Sequence, residues 1–173
     1  MNTTAATIKE PMTDGPWLDA DQRRVWLAWI RLQLRMTYEI NRQLQADSAL
    51  SMADYDVLTG LSVSPGNRLP ISALANQLGW ERSRVSHHVK RMAARGLVAM
   101  TAAEADRRVT EVTLTEDGGS LLRSAAPGHA ALVKNLFFGD LPPAGLPALA
   151  ESLEQIYANV LANGTLPPPP DGR

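Results

Sequence analysis

The chain has 173 residues, 45% hydrophobic and 20% charged, and no cysteine. That is apolar matter for one ordinary core and too much for a disordered chain, and it excludes disulfides, thiolate zinc sites and thiol redox sensing. The net charge is −1, yet from Glu81 to Arg108 seven basic residues stand against three acidic ones, a local +4 that leaves −5 for the remainder.

Residues Met1 to Trp17 read as a loose arm interrupted by Pro11, Gly15 and Pro16, without the basic start and apolar centre of a signal peptide. The chain holds no apolar run of about 18 residues, so no membrane span is predicted, and a cytoplasmic protein is the expectation. From Asp21 to about Ala46 there is neither Pro nor Gly, and Val25, Trp29, Leu32, Met36 and Ile40 recur at helical steps. Asp19 or Asp21 can cap this first helix. Trp26, Ile30 and Leu34 widen the stripe beyond what a small domain covers, which points to a second chain.

Ser51 to Asp54 has the form of a helix start, and a second helix follows to about Leu61, with Tyr55, Leu58 and Leu61 inward. Ser64 to Pro70 reads as a turn. A short third helix spans Ile71 to Leu78 and ends at Gly79. A fourth runs from about Glu81 to Arg95 and stops at Gly96. Its inner face is Val85, Val89 and Met92; its outer face carries Arg82, Arg84, Ser86, His87, Lys90 and Arg91. Leu97 to Met100 and Val109 to Leu114 read as a pair of strands joined by the loop Thr101 to Arg108. Thr115 caps a fifth helix that ends near Gly139, with Pro127 a candidate bend. A last helix starts between Pro142 and Pro147 and carries Leu149, Leu153, Ile156, Val160 and Leu161. The predicted fold is mainly α with a small β-hairpin wing, a winged helix-turn-helix with long dimerisation helices. Its parts are a flexible arm over 1–18, a first dimerisation helix over 19–48, a DNA-binding region over 49–115, C-terminal dimerisation helices over 116–163 and a disordered Pro-rich tail over 164–173.

Two helices joined by a Gly turn, the second basic, followed by a hairpin, suit one task. The DNA major groove is about 12 Å wide and admits one α-helix. Such a helix must anchor one face and expose hydrogen-bonding side chains on the other. Arg84, Ser86 and His87 are candidate base contacts, and Lys90 and Arg95 candidate phosphate contacts, with Arg82 and Arg91 on the same helix. In the wing, Asp106, Arg107 and Arg108 complete the candidate DNA-binding set, since a narrow minor groove attracts Arg.

Three stretches together resemble the MarR family of bacterial regulators, over about Asp21 to Asn163. They are Leu50 to Leu58; Ile71 to Ala75 with Arg84 to Met92 and Arg95-Gly96-Leu97-Val98; and Asp106-Arg107-Arg108 followed by Val112-Thr113-Leu114-Thr115-Glu116-Asp117-Gly118. The last is similar to the family's wing signature, Asp-x-Arg and then Leu-Thr-x-x-Gly. The resemblance implies a homodimer in which the first, fifth and sixth helices intertwine. It implies that the Arg matching Arg108 enters the minor groove and that the Asp matching Asp106 holds the wing by an ion pair. It further implies a repressor of nearby genes that leaves double-stranded DNA when a small aromatic or anionic effector binds. Ala99 and Met100 stand where relatives often carry basic residues, and Thr101 to Ala105 lacks the usual Pro, so this wing is less basic.

Trp26, Trp29, Tyr38 and Tyr55 are candidates for an effector pocket, against the simpler reading of core or interface aromatics. No metal and no bound cofactor is predicted: His87 and His88 are neighbours about 100° apart on a helix and cannot chelate one ion well with His129. The chain has no phosphate-binding Gly loop, G-x-S-x-G or H-E-x-x-H, so no enzyme is predicted. The alternative reading is a dimeric scaffold or ligand-binding protein of the same fold without sequence-specific DNA binding. Retention of Arg84, Arg91 and Arg108 argues against it.

Overall fold

A computed structural model of the chain describes residues 17–104 and 106–169. The predicted N-terminal arm, except for Trp17 and Leu18, and the end of the tail lie outside the described residues. The order of elements is α1 (Ala20–Ser48), α2 (Met52–Ser62), β1 (Arg68–Pro70), α3 (Ile71–Leu78), α4 (Arg82–Ala94), β2 (Val98–Ala102), β3 (Thr110–Leu114), α5 (Glu116–Leu136) and α6 (Leu146–Asn163). Single-turn 3₁₀ helices precede β1 and α6. This is the mainly helical winged helix-turn-helix fold expected.

The chain divides into two compact units, Met1–Thr37 and Tyr38–Arg173. In the first, Asp19 begins α1 with a reciprocal cap. Its Oδ1 accepts the Gln22 backbone N–H at 2.8 Å, and its own N–H donates to Gln22 Oε1 at 3.1 Å. Val25, Trp26, Leu27, Trp29, Leu32 and Leu34 all stay exposed along this part of the helix.

The second unit holds the core. Leu44, Leu58, Leu61, Leu74, Val85, Val89, Met92 and Val112 are among its fully buried side chains. The expected inward faces of α2, α3 and α4 all contribute, because each repeats its apolar residues at three- or four-residue steps. The predicted two-stranded wing is a three-stranded antiparallel sheet in the order β1-β3-β2. The extra strand, Arg68-Leu69-Pro70, falls where the sequence reads as a turn. Leu69 is buried and pairs in register with Val112, so burial of one leucine against β3 converts the end of a Pro/Gly/Asn turn into a strand. α5 runs unbroken through Pro127.

The Leu-Thr-x-x-Gly signature has a local physical basis. Thr115 Oγ1 donates to Gly96 O at 2.7 Å and accepts the Gly118 N–H at 3.0 Å, while the Thr115 N–H donates to Leu97 O at 3.3 Å. One threonine therefore caps α5 and ties it to the end of the α4–β2 turn. Gly118 is required at that junction because a Cβ there would fall on the Leu97 carbonyl oxygen.

Candidate nucleic-acid interface

α3 ends at Gly79, whose φ of 66° and ψ of 32° lie in the left-handed region that glycine enters without a steric cost. The Trp80 N–H then returns to Ala75 O at 3.0 Å, and Glu81, extended, sits at the start of α4. This reversal sets α4 across α3. Val85, His88, Val89 and Met92 face the core. Arg82, Arg84, His87, Lys90 and Arg91 are exposed, and Ser86 is half-buried between them. The structure thus brings six of the predicted residues onto the outer side of one helix. Asp106, Arg107 and Arg108 are exposed at the wing turn.

Two predicted residues differ from expectation. Arg95, read as a phosphate contact, has its guanidinium committed elsewhere: Nη1 donates to Asp54 Oδ2 at 2.9 Å and Nη2 to Ala49 O at 3.0 Å. At the C-cap of α4 its side chain turns back toward α2 and the end of α1 rather than outward. Asp106, implied to hold the wing by an ion pair, accepts the Arg108 backbone N–H at 2.9 Å instead. A carboxylate bonding an N–H two residues on stabilises a tight turn, which fits a hairpin tip exposed to water. Among the described residues no guanidinium lies within ion-pair range of Asp106.

The inner border of α4 carries the row Arg84, His88, Arg91 and Arg95, spaced so that they share one edge. That edge meets Asp54 and Asp56 of α2. Asp54 is 6% exposed at its side chain, with His88 Nε2 3.0 Å from Oδ1 and Arg95 Nη1 2.9 Å from Oδ2. The His88 contact is short but bent off the N–H line, more electrostatic than a straight hydrogen bond. Asp54 also completes the capping box of α2: Oδ2 accepts the Ser51 N–H at 2.9 Å, and its own N–H donates to Ser51 Oγ at 3.0 Å. Burial would raise the Asp54 carboxyl, but the bonds from His88, Ser51 and Arg95 outweigh it and hold the group well below the ordinary carboxylate range. Burial pushes Asp56 up, with Arg84, and His88 whenever it carries a second proton, pulling the other way.

Arg84 lies with Cζ 4.1 Å above the centre of the Trp80 ring, a cation–π stack. The same ring meets His88 edge-on, centroids 5.7 Å apart. Trp80 therefore touches both a candidate base-reading arginine and the buried histidine. A cleft of about 450 Å³ beside it is lined by Ser72 and Asn76 of α3, Arg82 and Arg84 of α4, and Leu166 of the tail. Sequence reading did not single out Asp54 beyond its cap, nor Trp80, Ser72 or Asn76. For the last two, a signal existed in the polar i, i+4 pair of α3.

His87 faces solvent and His88 the core, while His129 sits on α5 with its ring 4.7 Å from that of Tyr55. Of the candidate effector-pocket aromatics, Tyr55 is half-buried, and Trp26, Trp29 and Tyr38 are exposed. Among the described residues no cluster of His, Asp or Glu could hold a metal, and no helix is long and apolar enough to cross a membrane.

Comparison with known proteins follows the same lines. A family model described as MarR family matches residues 50–109. The crystal structure of AbsC, a MarR family transcriptional regulator from Streptomyces coelicolor, is 33% identical, with a TM-score of 0.77 over 84% of this chain and 98% of that one. Sco3205 from the same organism, a MarR family regulator crystallised in complex with DNA, is 32% identical, with a TM-score of 0.79 over 91% of this chain and 99% of its own. Bordetella bronchiseptica BpsR, whose DNA binding is regulated by 6-hydroxynicotinic acid, is 27% identical, with a TM-score of 0.68 over 78% of this chain and 98% of its own. No curated protein sequence matches. With a relative 33% identical over nearly its whole length, the chain belongs to the MarR family of DNA-binding transcriptional regulators, a non-enzymatic family.

Proposed function

We propose that the protein is a homodimeric repressor that binds a pseudo-palindromic duplex and releases it when a small aromatic or anionic effector binds. The observation that carries this reading is α4: its inner face is locked in the core while Arg82, His87, Lys90 and Arg91 remain exposed around Ser86. A rigid helix so divided is suited to major-groove entry, with Ser86, His87 and Arg84 facing bases and Lys90 and Arg82 phosphates. Arg107 and Arg108 extend the contact to the neighbouring minor groove. Arg95 acts by fixing α4 rather than by touching phosphate. Support also comes from Sco3205, a relative crystallised on DNA.

Dimerisation is supported by two helices that carry apolar residues and bury almost none of them among the described residues. Over its length α1 buries only Leu44, and α6 buries none of its residues. An effector is supported by BpsR, which answers to a heteroaromatic acid. In this chain the first place to look is the side of α2 where Tyr55 meets His129, since among the described residues His129 Nδ1 and, beside Gly128, Gln43 Oε1 are buried without a hydrogen-bond partner.

The test is selection from random duplexes at near-physiological salt. An inverted repeat with half-sites about 34 Å apart is the expected product. On that site Arg108→Ala should weaken binding by about 1 kcal/mol and reduce the salt slope by about one. No enrichment by a folded dimer would favour the scaffold reading, to which the intramolecular engagement of Arg84 and Arg95 already lends some support.

A further inference from the structure

His88 is the one buried histidine of α4, and both its nitrogens are engaged. Nδ1 lies 2.9 Å from Arg91 Nη2. Nε2 lies 3.0 Å from Asp54 Oδ1. A guanidinium has only donors, so Nδ1 must accept, and its lone pair must be free of a proton. The ring is therefore neutral in this arrangement, with its proton on Nε2 toward Asp54. A second proton would go on Nδ1. It would replace an attractive N–H···N contact with two cations facing each other at the same distance.

The charged surroundings favour the second proton from one side and oppose it from the other. From α2, Asp54 and Asp56 face the ring; from α4 itself, Arg91 and Arg84 do, with Arg84 stacked on Trp80. Arg95 reaches the ring only through the shared carboxylate of Asp54. Asp54 stays ionised through any mildly acidic range, being held well below ordinary carboxylates. The contact that protonation removes is thus the one to Arg91, the outermost partner and an exposed residue of the reading helix.

We infer that His88 is a positioning residue that, while neutral, fixes the Arg91 guanidinium for DNA and, when protonated, lets it go. Specific operator binding is then proton-dependent through a residue that never touches DNA. Holding a long side chain in its bound pose removes an ordering cost from association. Losing that hold should lower specific affinity about fivefold, while affinity for random duplex, which responds to total charge, does not fall. This inference rests on the DNA-binding reading of α4.

The experiment measures specific and random-duplex affinity at about pH 8 and about pH 5.5 for the wild type, His88→Gln and Arg91→Gln. Gln has an acceptor and a donor and does not titrate. His88→Gln, whatever its affinity at high pH, should lose the decline in acid. Arg91→Gln should bind more weakly at high pH and also lack that decline. The exposed His87 is present in all three proteins, so any contribution from it cancels between them. Identical pH profiles for the wild type and His88→Gln overturn the inference. Should His88→Gln not fold, a full wild-type decline in Arg91→Gln, changed only at an exposed position, overturns it equally. Ring ¹⁵N spectra of the free protein provide an arm without DNA: at about pH 8 His88 should be the Nε2–H tautomer, and Arg91→Gln should disturb its Nδ1 signal. If no duplex is bound at either pH, the DNA reading fails, while the spectra still decide the coupling of His88 to Arg91.

Discussion

Asp54 joins two helices through one carboxylate. It caps α2 through Ser51, receives Arg95 from the end of α4 and faces His88 in its middle. Removing one member of a buried charged set leaves the others uncompensated, at a cost of about 3 kcal/mol or more. Asp54→Asn should therefore lower unfolding free energy by about 3 kcal/mol at neutral pH, read by chemical denaturation; a loss under about 1 kcal/mol would mean that the cluster contributes little. The acid dependence has a definite sign. A carboxyl lowered by folding binds fewer protons in the native than in the unfolded state, so its contribution is present above an unfolded value of about 4 and declines as pH falls below it. His129 acts in a separate window. Burial lowers it, so the unfolded chain takes up the proton first and stability declines as pH drops below about 6.5. His129→Gln should flatten the upper part of the acid limb and leave the lower part to Asp54. An unchanged upper limb would show that His129 is not the group responsible.

Among the elements, the wing and α5 are joined by contacts too close for a side chain. Gly118 stands against the Leu97 carbonyl, so Gly118→Ala must displace backbone and should cost about 2 kcal/mol. Thr115→Ala removes an N-cap and the bond to Gly96 O, a loss of about 1–2 kcal/mol in stability. Thermal unfolding of both variants checks this; a Gly118→Ala protein as stable as the wild type would mean that the junction yields. The six helices were legible in the sequence to within a few residues because their starts and stops are local: Ser51 with Asp54, Gly79, Gly96 and Thr115 all act within one turn. β1 was not legible, since nothing in Arg68-Leu69-Pro70 marks a strand until Leu69 meets Val112 more than 40 residues on.

At the scale of the whole molecule, α1 and α6 both leave apolar residues exposed. Trp29 and Leu32 on one helix, and Leu153, Ile156 and Val160 on the other, are exposed in the single chain. Sedimentation should give twice the chain mass of 18.8 kDa, and Leu153→Asp with Ile156→Asp should shift the protein to monomer and remove operator binding with it. A dimer that survives both changes would move the interface off α6.

The sequence alone determined which segments are helical, which face of α4 is basic, and the family, because helix caps, apolar periodicity and the wing signature are all written within short windows. Only the tertiary structure decided which charges are free. Seven basic residues between Glu81 and Arg108 looked equivalent as a list. Folding brought Asp54 beside Arg95, 41 residues away, and Trp80 beneath Arg84, and so paired one arginine within the chain and braced another. The choice belongs to packing: the partner of a long side chain is whatever the neighbouring element presents, and no local rule along the chain names it.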